Sequence, residues 1–137
     1  MLQVKTFLDK SNIHGIGLFL SDPVKKGDLI WHFTQGIDRI IPREEIEGLT
    51  KEEQEFIENA AVYDEDEDGY YLVSDNIRFM NHSDTPNCGE TDQTSDALEL
   101  FALRDIEPGE ELTLDYNQME EGSDDFGDEM FVKFNKK

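Results

Sequence analysis

The chain has 137 residues, and its 33 acidic against 12 basic side chains leave a formal net charge of −21 at pH 7. That balance argues against direct binding to a nucleic-acid backbone, whose phosphates would be repelled, and suits a basic partner such as a Lys-rich tail; an acidic surface kept for solubility is the plain alternative. Cys88 alone cannot build a disulfide framework or a multi-cysteine zinc cluster, and neither a signal-peptide pattern nor a bilayer-length apolar run is present, so the expectation is one soluble domain of a reducing compartment, the cytoplasm, or the nucleus in a eukaryotic host.

Residues 2–8 alternate apolar and polar and predict a half-buried strand. They lead into His14-Gly15-Ile16-Gly17, ahead of a second short apolar strand. Glycines at such a place allow unusual φ and close approach of backbone to a ligand. No third glycine follows at dinucleotide-fold spacing and no helix pattern begins, so a nucleotide fingerprint is rejected. Residues 22–28 are a turn cluster, and 29–34 a strand whose His32 reads as outward-facing, with no metal-ligand partner at the right spacing.

The region from about residue 40 to 62 predicts helix. Pro42 suits a first helical position with Glu44 and Glu45 in the first turn; Gly48 interrupts, and Thr50 to Glu53 reads as a capping box opening a second helix. Phe56, Ile57, Ala60 and Ala61 are expected on its core face, opposite Glu52, Glu55 and Glu58. Five carboxylates then run from Asp64 to Asp68 before Gly69. Asp64, Asp66 and Asp68 partly fit a calcium loop, but the glycine is misplaced and Asp75 stands where a bidentate Glu is needed. A solvated acidic loop is the preferred reading, with a contact surface for a basic substrate beside it. Residues 70–73 predict strand.

Residues 78–88 are dense in Asn, His, Ser and Thr, which compete for backbone hydrogen bonds, yet open with Phe79 and Met80 at positions that look buried. With Pro86 fixing φ, they predict a pinned irregular segment rather than a regular element. His82 and Ser83 are adjacent, so on extended chain they point apart and cannot form a nucleophile–base pair; no Gly-x-Ser-x-Gly elbow exists, and a hydrolase is rejected. Cys88 reads as buried and inert. Residues 97–103 predict a strand, Pro108-Gly109 a turn, and 111–115 an alternating strand ending at Tyr116.

In order, Gly15-Ile16-Gly17-Leu18-Phe19, Arg78-Phe79-Met80-Asn81-His82-Ser83, Pro86-Asn87, Gly109-Glu110-Glu111-Leu112-Thr113 and Asp115-Tyr116 resemble the SET domain, the fold of one class of protein-lysine methyltransferases. The resemblance spans roughly residues 3–117. It implies a β-rich α+β fold, β-clip-like, of small curved sheets with a short helical insert at about 40–62. It also implies a knot-like crossing of the terminal strand with the Asn-His-Ser segment, a rare exception to unthreaded chains. The cofactor implied is S-adenosylmethionine, gripped by the backbone of His14, Gly15, Ile16 and Gly17, with Asn81 and His82 at its amino-acid and adenine portions. Tyr116, catalytic and beside the cofactor, would place its hydroxyl at the transferring methyl. Tyr63, Tyr70 and Tyr71 are candidates for a second channel tyrosine or are strand-face aromatics. No metal, nucleic acid or membrane enters, and the substrate is a lysine in a basic protein or peptide.

Two features depart from the family pattern. Asp84 stands where a cysteine is frequent, and neither a cysteine-rich pre-SET nor post-SET segment is found, so the chain resembles the minimal, stand-alone domains of viruses and bacteria. The organisation expected is a SET domain over 1–117 and an acidic tail over 118–137. Phe126, Phe131 and Phe134 in that tail are candidates to close the substrate channel or to reach a second subunit in a homodimer. Two other readings stay open: a non-catalytic SET-like module binding basic tails, and methyl transfer to a non-lysine or small-molecule acceptor.

Overall fold

The computed structural model describes residues 1–64, 67–92 and 99–116. In chain order, β1 (Thr6–Lys10) and β2 (Ile16–Leu20) form an antiparallel hairpin, registered from Thr6 opposite Leu20 to Lys10 opposite Ile16. Next come β3 (Leu29–His32), β4 (Arg39–Pro42), α1 (Arg43–Glu47), α2 (Lys51–Ala60), β5 (Ala61–Asp64) and β6 (Gly69–Leu72). One turn of 3₁₀ helix, Asn76–Phe79, precedes β7 (Asn81–His82), β8 (Cys88–Gly89), β9 (Glu99–Ala102) and β10 (Thr113–Leu114). The pairings make small sheets: β3-β9-β8 and β4-β6-β5, both antiparallel, and a parallel pair of β7 with β10. This is the β-rich fold with few helices that the resemblance implies.

Among the described residues, the main core gathers apolar side chains from both sides of the insert. Leu18, Leu20, Ile30, Met80, Cys88, Ala102, Ile106 and Leu112 are wholly removed from solvent. Burial of a large aliphatic side chain is worth about 1.5–3 kcal/mol, so this cluster dominates the favourable side of folding. The insert, β4 to β6, has its own smaller cluster of Ile41, Ile46, Ile57 and Ala61, with Tyr70 and Leu72 packed against it.

Asp38, whose side chain is fully buried, joins the two ends of the insert to the body. It accepts hydrogen bonds from the Thr34 amide (2.8 Å) at one end and from the Ser74 amide (3.1 Å) and hydroxyl (2.9 Å) at the other, and it pairs with the Met1 amino group at 3.1 Å. Burial on its own would raise this carboxyl; the bonds from Thr34, Ser74 and Met1 outweigh it and hold the group below the usual carboxylate range.

Several expectations are corrected. The first strand starts at Thr6, and Leu2 instead makes an isolated bridge to Trp31. The insert is helical only over 43–47 and 51–60: Pro42 ends β4 and precedes α1, and Ala61 already belongs to β5. The capping box is present, with Glu53 N donating to Thr50 Oγ1 (3.3 Å) and Thr50 N to Glu53 Oε2 (2.9 Å). Phe56 is 58% exposed rather than on the core face. It lies one residue, about 100°, around the helix from Ile57, and among the described side chains of this ten-residue helix the buried stripe is the narrow one of Ile57 and Ala60. Residues 111–115 do not alternate, since Leu112, Thr113 and Leu114 are all buried. Their strand pairs in parallel within the body and has no solvent face.

Among the described residues, no helix is long and apolar enough to cross a membrane, and no three His, Cys, Asp or Glu side chains are grouped to hold a metal ion. Glu65 and Asp66 of the acidic loop, residues 97 and 98 of the strand expected over 97–103, and the acidic tail with Phe126, Phe131 and Phe134 lie outside the described residues.

Candidate active site

The tip of the β1–β2 hairpin is shaped by one serine. Ser11 Oγ accepts from the amides of Ile13 (2.9 Å) and His14 (3.2 Å), and Ser11 N donates to Gly15 O at 2.9 Å. Closing so tight a tip needs a left-handed residue, and Gly15 supplies it at φ +49°, with open space where a side chain would stand. Residues 12–16 are left exposed, presenting backbone to solvent.

Behind the tip lies Asn81, fully buried at the start of β7. Its Nδ2 donates to His14 O (3.0 Å), to Ile16 O (3.4 Å) and to Glu111 Oε1 (2.7 Å). The amide thus ties the glycine loop to the central segment and to the strand that follows Gly109. Asn87 makes the second tie. Its Oδ1 accepts from Thr113 N (2.8 Å), its Nδ2 donates to Glu111 O (2.8 Å), and its own amide donates to Thr113 Oγ1 (3.2 Å). With Ser83 N donating to Leu114 O (2.8 Å), residues 81–87 run alongside 111–116. These are the two segments whose crossing the resemblance implies, and their parallel pairing holds them side by side.

This pairing delivers Tyr116 to the site. The residue is 6% exposed; its hydroxyl donates to Met80 O (2.7 Å) and its amide to His82 Nδ1 (3.1 Å). The His82 and Tyr116 rings sit 5.1 Å apart, tilted by 55°. Because Nδ1 accepts, the imidazole proton belongs on Nε2, which faces Asp84 Oδ1 at 2.9 Å. Asp84, the departure from the family pattern, therefore has a partner, although its side chain is largely in solvent.

Two sets of hydrogen bonds thus meet on the consecutive residues Met80, Asn81 and His82: Asn81 holds His14 and Ile16 of the glycine loop, in which Gly15 and Gly17 lie, and Met80 and His82 hold Tyr116. Sequence reading missed Ser11 and the Met80 carbonyl, and quoted Glu111 and Asn87 within the motifs without giving either a role. In the Glu110-Glu111 pair nothing local tells the two carboxylates apart. Glu110 turns outward to Arg104 (3.0 Å) and to the Glu107 amide (2.6 Å), which hold its carboxyl below the usual range; Glu111 turns inward. Cys88 is buried, and desolvation pushes its thiol up to about 12 against the opposing effects of Thr113 and Arg104, as an inert core cysteine requires. His32 is half-buried with Nδ1 3.0 Å from Phe33 O.

Of the three other tyrosines, Tyr63 donates its hydroxyl to Asp68 (2.7 Å), a bond that raises its own pKa, and its ring lies 5.2 Å from that of Tyr70. Tyr71 meets Phe33 edge-on at 6.0 Å. Chemically, the site offers an exposed stretch of backbone beside a buried phenol whose proton is already directed at a carbonyl. It suits a polar ligand gripped by main chain, with oxygen atoms aimed at positive charge.

Comparison with known proteins bears on this arrangement. The SET domain family profile matches residues 15–117. The chain is 32% identical over 118 residues to the histone-lysine N-methyltransferase MEDEA of Arabidopsis thaliana, covering 82% of this chain and 16% of that protein. It is 30% identical over 125 residues to the histone-lysine N-methyltransferase trithorax of Drosophila virilis, covering 78% of this chain and 3% of that one. It thus spans a small part of these relatives. Among solved structures, Chaetomium thermophilum Polycomb Repressive Complex 2 bound to GSK126 covers 97% of this chain and 17% of its own at a TM-score of 0.60 and 20% identity. The same complex, ctPRC2, in an autoinhibited conformation bound to S-adenosylmethionine covers 97% and 16% at a TM-score of 0.58 and 20% identity. At that identity the likeness is one of fold.

Proposed function

This chain belongs to the SET domain family, and we propose that it transfers a methyl group from S-adenosylmethionine to the side-chain amine of a lysine in a basic protein or peptide. The observation that carries the proposal is the meeting of three distant segments: Asn81 holds the exposed backbone loop and Glu111, and Tyr116 bonds the carbonyl of Met80, the residue beside Asn81. The residues present fit the cofactor on chemical grounds. An amino acid and an adenine need polar main-chain anchors, which the loop at His14, Gly15, Ile16 and Gly17, exposed over its first three residues, offers. Asn81 keeps that loop in place, and His82 stands against Tyr116. When bound, the cofactor supplies an electrophilic methyl on a sulfonium, open to in-line displacement by an amine without metal or covalent enzyme intermediate.

The protein's part in this reading is orientation and electrostatics. The Tyr116 hydroxyl directs its proton to Met80 O, so its lone pairs and the Met80 carbonyl are the oxygens available to positive charge at the reacting centre. We assign Tyr116 an orienting role rather than that of a general base. The lysine must attack uncharged, and a narrow apolar channel favours the neutral amine by desolvation; Tyr70 and Tyr71 are the candidates for its wall. The charge of −21 draws a basic substrate and speeds its encounter.

Calorimetric titration of S-adenosylmethionine and S-adenosylhomocysteine into the protein tests this. Saturable binding that is lost in Asn81→Ala, with turnover on a Lys-rich peptide slowed in a folded Tyr116→Phe variant, is the expected result. A folded protein that binds neither ligand at millimolar concentration would reduce the likeness to fold and leave a module that binds basic tails.

A further inference from the structure

The glycine loop is held from behind by a carboxylate that the sequence motifs leave without a role. Ser11 Oγ donates to Glu111 Oε1 (2.8 Å) and Oε2 (2.9 Å), and Asn81 Nδ2 donates to Oε1 (2.7 Å). Both donors are residues that shape the loop: Ser11 caps the amides of Ile13 and His14, and Asn81 holds the carbonyls of His14 and Ile16. A carboxylate is the acceptor-only group for this position. A Gln amide placed there would turn an NH₂ toward Ser11 Oγ, whose two lone pairs already receive Ile13 and His14.

Gly17 belongs to the same device. Its φ is not positive, so its backbone does not call for glycine. A Cβ there, however, would lie 2.2 Å from Glu111 Oε1, 2.7 Å from Glu111 Cδ and 3.1 Å from Ser11 Cβ. The end of a glutamate side chain normally swings away from such a contact. This one is held by Ser11 and Asn81, so moving it undoes both.

We infer that Glu111 is a positioning residue for the cofactor loop: its carboxylate, seated in the space left by Gly17, holds Ser11 and Asn81 in register and sets the conformation of residues 11–17. The link to cofactor rests on the function proposed above; the shaping of the loop does not. Gly17 is then a glycine because of Glu111, and the two positions are coupled although they stand far apart in the chain.

The test has two arms. In ligand-free protein, hydrogen exchange at the Ile13 and His14 amides should quicken about ten-fold or more in Glu111→Ala and in Gly17→Ala, and less in Glu111→Gln. The Val24, Ala102 and Ile106 amides, bonded elsewhere, should keep their protection. Adding Gly17→Ala to Glu111→Ala should cost little more, the non-additivity expected of touching residues. Unchanged exchange at Ile13 and His14 in folded Glu111→Gln and Glu111→Ala, or a Gly17→Ala effect equal with and without Glu111, overturns the inference. In the second arm, the S-adenosylmethionine Kd and KM should rise about ten-fold in Glu111→Gln, with kcat at saturation within a few-fold. Wild-type binding with unaltered affinity in that variant overturns the cofactor link. If the wild type itself binds no S-adenosylmethionine, the function proposed above fails, and the exchange arm still decides the role of Glu111.

Discussion

Two regions of this molecule reach their form in opposite ways. The site is assembled from residues 11–17, 80–87 and 111–116; Ser11 and Glu111, a hundred positions apart, share a hydrogen bond, and Asn81 and Asn87 bind partners in the other segments. The insert, from β4 to β6, is a continuous run of chain with its own small cluster of Ile41, Ile46, Ile57 and Ala61. Its surface also carries exposed apolar side chains, Ile40, Leu49 and Phe56 among them. Long-range closure must overcome loop entropy before any contact forms, so the site can only be a product of the whole fold, whereas the insert is a local unit joined to the body through Asp38. Geometry that is over-determined by buried polar bonds is rigid, and a small apolar cluster on a short sheet is tolerant.

The strongest blow to that contrast would fall on Asn87. Asn87→Ala strands the Thr113 amide and the Glu111 carbonyl in the interior, and each buried group left unpaired costs about 1–3 kcal/mol. A loss of about 3 kcal/mol or more in urea unfolding is expected; a loss under about 1 kcal/mol would mean the site is not locked as described. Ile57→Ala in the insert should cost about 2 kcal/mol, the low end for such truncations, because a small cluster can collapse around the gap. Exchange should then quicken in the insert alone. If it quickens equally in β9, insert and body fold as one unit.

Acid should separate the regions at their joint. The Asp38 carboxyl is held below its usual range in the folded protein, so its contribution is complete above the unfolded value near ~4 and is lost as pH falls through the lower folded value. Stability measured from about pH 6 down to pH 2 should show this loss. It should shrink in Asp38→Asn, at the cost of a weaker joint at neutral pH; an unchanged acid limb would remove Asp38 from that role. The smallest effect belongs to Phe56→Ser, expected within about 0.5 kcal/mol of wild type by thermal unfolding. A larger loss would show that this exposed ring is packed in solution.

Much of what is local was legible in the chain. The capping box at Thr50 and Glu53 and the tight tip at Gly15 follow from stereochemistry acting within a few residues, and the irregular run around Asn81 and the apolar character of Cys88 were legible from residue type although their partners lie far along the chain. The helix-face assignment failed at Phe56 because periodicity cannot say how wide a stripe the partner surface will cover. The alternating strand at 111–115 failed because its partner, β7, runs parallel inside the body and buries both faces. Motif order was enough to bring His14, Gly15, Ile16, Gly17, Asn81, His82 and Tyr116 to attention as one set.

By itself, then, the sequence determined the fold family, the turn and cap positions and the residues around which a site could form, since these depend on local stereochemistry and on motifs read in order. Only the tertiary structure decided that Glu111 rather than Glu110 faces inward, that Gly17 makes room for it, and that Asp38 gathers both ends of the insert. Hydrogen bonds between residues far apart in the chain leave no periodic trace in it. They exist only once packing has brought their partners within about 3 Å of each other.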